Sequence, residues 1–154
     1  MTENRSVDAD GARLRSRLKA LQDTERLVAL GIDALHGALV ETCDRINGRL
    51  TGGDAHEVLW ARRWAYRSWV WFQGQDLLTL TYEMENDRDA PHVLARCRVA
   101  GDNGRLRTTI TLMRAGPGAA EWRVGNRAPE LPALFLALLE HEVEDRLKPS
   151  GGSS

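Results

Sequence analysis

The densest run of side chains able to bind a metal or move protons is Glu140, His141, Glu142, Glu144 and Asp145. On a helix only members three or four apart share a face. His141 could therefore pair with Glu144 or Asp145, and a metal would still need His56 or His92 from elsewhere. The HExxH zinc pattern is absent, so the run reads as a solvated acidic helix face. Asp87, Asp89 and His92 lie among turn formers and read as loop residues. Thr51, Gly52, Gly53 and Asp54 follow a helical segment instead of preceding one, the wrong end to cradle phosphate on free helix amides. Nucleophile elbows, dinucleotide fingerprints and phosphate loops are also absent. The expectation is a non-enzyme with no catalytic residue, metal or cofactor.

Two patterns suit binding instead. From Trp60 to Trp69, arginines Arg62, Arg63 and Arg67 are interleaved with Trp64 and Tyr66. Such a segment can stack on bases while touching phosphates. It can equally fill a sheet–helix interface with its aromatics while the arginines reach outward, and this second reading is preferred. A turn at Gly74 and Gln75 would place Val70, Phe72 and Leu77 beside Tyr66 as an exposed apolar patch.

The other pattern comes from the Asn103–Gly104 hairpin signal. Strand parity around it puts Val93, Ala95, Cys97, Val99, Leu106, Thr108, Ile110 and Leu112 toward the helices. Arg96, Arg98, Arg105 and Arg107 fall on the opposite face, where like charges demand an acidic partner. Glu83 and Glu85 could supply it internally. An acidic protein surface or a nucleic-acid backbone could supply it from outside.

Charge narrows these options. Of 21 basic residues only Lys19 and Lys148 are lysines, and arginine favours planar, bidentate partners. Residues 75–91 carry five acids against Arg88, whereas residues 92–127 carry seven arginines against Asp102 and Glu121. The net charge of −1 and pI near 6.4 still speak against a nucleic-acid binder.

The positioning elements follow from periodicity. Leu14, Leu18, Leu21, Val28, Ile32, Leu35, Leu39 and Ile46 recur at steps of three and four, interrupted at Glu25 and Thr42, a helical stripe over residues 11–50. Unbroken, it would run ~60 Å, so a break near residue 23 is expected, with Asp23 or Thr24 as cap. Four of the five tryptophans lie in residues 60–73, read mainly as one strand whose first half could instead be a helical turn. Alternation marks a strand over 77–85, then others over 92–100 and 105–113 and a short one through Trp122. Pro129 and Pro132 introduce a final helix, residues 130–147, ended by Pro149.

The chain thus reads as an α+β protein. A long N-terminal helix, an antiparallel sheet of four to five strands and a C-terminal helix on one sheet face form one domain over residues 11–148. Residues 1–10 are expected to be disordered, and 149–154 a flexible Gly/Ser tail. A domain of this length buries about 70% of its unfolded surface. The polar N-terminus and the shortness of the apolar run 131–139 point to a cytoplasmic protein without a membrane span. Cys43 and Cys97 lack metal or disulfide spacing and read as core thiols.

The functional expectation is a protein–protein interaction module of adaptor, chaperone-like or inhibitor type. Its partner would be another protein or a second copy, held through Leu14, Leu18, Leu21 and Val28. Nucleic-acid binding through the arginine face and the Trp/Arg segment is the alternative. A small-ligand or enzymatic cup is the third.

Overall fold

The computed structural model describes residues 2–52, 58–85 and 89–148, with side chains from residue 8 onward. Gly53, Asp54, His56, Asp87 and the tail 149–154 lie outside the described residues. The architecture is α+β. Helix α1 (Thr2–Thr51) is followed by strands β1 (Leu59–Trp64), β2 (Arg67–Phe72), β3 (Gln75–Met84), β4 (Val93–Gly101), β5 (Leu106–Gly116) and β6 (Ala119–Arg123). Helix α2 (Leu131–Leu147) closes the chain. The strands form one curled antiparallel meander in sequence order. No helix among the described residues is long and apolar enough to cross a membrane.

The expected break in the first helix does not occur. The Thr24 hydroxyl donates to the carbonyl of Ala20 at 3.0 Å, satisfying itself within the helix instead of capping a new one. The 50 residues of α1 therefore run on for ~75 Å. Its first half stands clear of the sheet, and burial begins at Leu27 and Val28. From there Ile32, Leu35, Leu39, Cys43 and Ile46 face the sheet. Gly31 sits where an added Cβ would lie 2.8 Å from Leu112 Cδ2. Its bareness brings β5 and β6 close, and the Trp122 indole donates to the Gly31 carbonyl at 2.8 Å. Phe135 and Leu139 of α2, both fully buried, complete the core.

The sheet has six strands because residues 60–73 form a hairpin, not one strand. Trp64 pairs with Arg67 across Ala65 and Tyr66. Ala65 adopts φ 49°, a left-handed conformation that disfavours alanine by ~1 kcal/mol. With no glycine or asparagine there, the turn carries no local signal.

The next turn is Gln73–Gly74, one residue earlier than Gly74–Gln75, with Phe72 opposite Gln75. Both residues have positive φ, 52° and 80°, as a type I′ hairpin requires. The expected apolar patch is accordingly not exposed: Val70, Phe72 and Leu77 are buried, and Trp69 and Trp71 take the open face.

Candidate interaction surfaces

The face of β1 and β2 turned away from the helices is a grid of tryptophan and arginine. Register places Trp60 opposite Trp71, Arg62 opposite Trp69 and Trp64 opposite Arg67. Side chains directly opposite in an antiparallel pair touch. The Trp60 and Trp71 rings lie 5.9 Å apart at 44°. The Arg62 guanidinium sits 5.4 Å over Trp60, and that of Arg67 sits 5.0 Å over Trp69. Trp64 is 78% exposed. Tyr66 is exposed in the turn. Arg63 is separated from this grid, because its side chain reaches Asp33 of α1 at 2.5 Å. The aromatic half of the preferred expectation is therefore overturned for Trp60 and Trp64, which face outward, while Arg62 and Arg67 reach outward as expected. A strand's polarity pattern does not say which side the helices cover.

The four-arginine face is divided. A bulge sets Val99 opposite Thr108 and Ala100 opposite Leu106, leaving Arg107 out of register. An extra residue reverses which side each later side chain takes. Leu106, expected inside, is 51% exposed. Arg107 turns toward α2, and its Nε donates to Glu142 at 2.6 Å. Arg105 borders the same cleft of about 530 Å³ between the β4–β5 turn and α2, with Arg146 and Lys148. Only Arg96 and Arg98 keep their outward position, opposite Glu83 and Thr81 in β3. Arg96 pairs with Glu85 at 3.3 Å.

Glu142 also corrects the reading of α2 as a uniformly solvated acidic face, since it is 3% exposed. Its neighbours divide otherwise: His141 lies 3.3 Å from Asp145, which Lys148 also approaches. The Lys148 contact holds the Asp145 carboxyl below its ordinary range. Among the described residues no three His, Cys, Asp or Glu side chains gather in a metal-binding group.

The projecting part of α1 is the other open surface. Leu14, Leu18 and Leu21 are 65%, 54% and 53% exposed. Val28, grouped with them in the expected oligomerisation stripe, is instead buried against the chain's own sheet.

One side-chain chain of hydrogen bonds escaped sequence reasoning. His36 Nδ1 lies 3.1 Å from Ser68 Oγ, which lies 2.8 Å from the Tyr82 hydroxyl. These residues are 32 and 14 positions apart, so only the fold brings them together. Ser68 is fully buried, and burial raises the Tyr82 phenol. Its hydroxyl is engaged on both sides within the protein, so the trio joins α1 to the sheet. Burial likewise raises Cys43 to about 12 and raises Cys97, leaving both thiols protonated.

Burial, then Arg63, lowers the His36 pKa below 6.5, with Asp33 opposing. The unfolded chain then takes up a proton at this site before the folded one does. The resulting stability is full above about pH 6.5 and declines as pH falls from there toward the folded value. Urea denaturation at pH 7.5 and 5.5 is expected to show a smaller acid-side loss for His36→Gln than for the unmodified chain. Equal losses would remove His36 as the source.

Fold and surfaces together define an α+β domain with a projecting helix and an uncovered tryptophan–arginine sheet face. No protein-family model matches the chain, and neither a curated protein nor a solved structure matches it.

Proposed function

We propose that this protein is a non-enzymatic protein–protein interaction module that self-associates through the projecting half of α1. The carrying observation is the extension of one stripe beyond the sheet. The stripe that packs Val28, Ile32, Leu35 and Leu39 against the sheet continues at the same spacing, interrupted at Glu25, to Leu14, Leu18 and Leu21, which are exposed among the described residues. A period of 3.5 is the spacing of a coiled-coil seam. It swings by only ~20° per heptad on a straight helix, so the bare leucines face roughly the side the sheet occupies.

That geometry favours an antiparallel pairing. A parallel partner lying on the bare leucines would drive its own second half into the first copy's sheet. An antiparallel partner ends where the sheet begins. The open sheet face favours protein over nucleic acid as a further partner. Arg67 holds Asp76, Arg96 holds Glu85 and Arg123 holds Glu121, so part of this face's positive charge is already compensated within the protein.

Sedimentation equilibrium of the full chain is expected to give a dimer. Leu18→Glu is expected to raise its Kd at least about 100-fold, because two buried leucines are worth ~2 kcal/mol each. The fold should persist in that variant, since Leu18 is 54% exposed and lies outside the buried core. A wild-type chain that stays monomeric at tens of micromolar would overturn the proposal.

A further inference from the structure

The structure assigns a second docking site: the outer edge of β1, where an extended segment of alternating apolar and acidic residues would add as a seventh strand. This rests on reading the chain as a protein-interaction module and is independent of how α1 pairs.

The backbone groups on offer follow from the hairpin. Trp64 and Arg67 flank a two-residue turn, so they exchange their N–H and C=O hydrogen bonds. With a period of two, Arg62 and Trp60 also bond inward to β2. The amides and carbonyls of Leu59, Ala61 and Arg63 then point away from the sheet. Leu59 bears this out: its N–H donates to Asn47 Oδ1 at 2.6 Å, and its carbonyl accepts from Asn47 Nδ2 at 3.0 Å. Asn47, a buried side chain of α1, stands there in place of a neighbouring strand. Ala61 and Arg63 have no such backbone partner among the described residues. Beside them runs a groove of about 390 Å³, walled by Val40, Cys43 and Asp44 of α1 and residues 59–62 of β1.

Charge and shape define the occupant. Toward α1 the groove is mostly apolar, with Val40, Cys43 and Leu59, and Asp44 is the one charged residue on that wall among the described residues. On the open face stands Arg62, which lies over Trp60 and has no carboxylate partner among the described residues. An antiparallel strand opposite Ala61 would send apolar side chains toward α1 and the alternate ones toward Arg62, where acids fit. A second β1 would instead bring another Arg62 and Arg63 against this pair. The far edge, β6, is only five residues long. It adjoins a bulge near Arg114 and Gly116, and the chain doubles back through the Val124–Arg127 bridge, as edges closed to addition do.

The probe is a capped seven-residue peptide of alternating valine and glutamate, titrated into the full chain and followed by tryptophan fluorescence. Saturable binding is expected, weakened about tenfold or more when the alternate amides facing β1 are N-methylated. Methylating the other set should leave it unchanged. Arg62→Glu should lose the glutamate peptide and gain its valine–lysine counterpart. Ala61→Pro removes an outward N–H without touching the β1–β2 ladder and should also abolish binding. Should that variant misfold, the methylated peptides on the unaltered chain decide. Absence of saturation at millimolar peptide, or indifference to the methylation register, would overturn the site. Running the series on Leu18→Glu separates it from self-association: binding by a monomer supports the edge even if the dimer fails.

Discussion

Replacing Glu142 with alanine is expected to destabilise the fold by about 3 kcal/mol, measured by urea denaturation. Glu142 is 3% exposed and its carboxylate faces the Arg107 guanidinium, itself 21% exposed. Removing the acid leaves a largely buried cation without its hydrogen-bonded carboxylate, with Asp145 the more distant remaining acid. Loss of one member of a buried pair costs about 3–5 kcal/mol, and the partial exposure of Arg107 places the value at the lower end. Gly101 shows how tightly the acid is held, since a Cβ there would lie 2.2 Å from Glu142 Oε1. Replacing both Glu142 and Arg107 by leucine should bring stability back to within about 1–2 kcal/mol of the unmodified chain. A loss below about 1 kcal/mol for Glu142→Ala would mean that water reaches the pair.

The second large effect is expected at Trp122, where alanine should cost about 3–5 kcal/mol. The indole is 6% exposed, fills the space beside Gly31 and donates to that residue's carbonyl. Phenylalanine retains most of the volume and loses the N–H donor. Because the Gly31 carbonyl keeps its place in the helix ladder, that loss should be nearer 1 kcal/mol. Thermal or urea unfolding of both variants would test the ordering. Equal losses would assign the whole effect to the hydrogen bond.

The parts of this fold that were legible in the sequence are those governed by long periodicities. The leucine stripe of α1, the alternation through β3, the Asn103–Gly104 hairpin and the proline-led start of α2 each announce themselves locally. What escaped depended on single residues adopting uncommon states. Ala65 turns with φ 49° and Gln73 with φ 52°, conformations that neither side chain favours, so one strand hid a hairpin and one face was reversed. At the β4–β5 bulge, a single unmatched residue sent Arg107 to α2 and Leu106 outward. Glu142 looked like its exposed neighbours because its partner is 35 residues away. The candidate surfaces shared this fate: the tryptophan and arginine residues were visible, but their side of the sheet was set by those two turns.

An uninterrupted α1 has a mechanical consequence. The bare leucines and the wall of the β1 groove belong to one rigid rod with no hinge between Leu14 and Cys43. Two rods overlapped antiparallel along their projecting halves would hold their β1 edges on the order of 70–90 Å apart. The protein would then act as a ruler. A ligand carrying two extended segments at that spacing would bind with avidity, while one with a tether too short to span them would gain none.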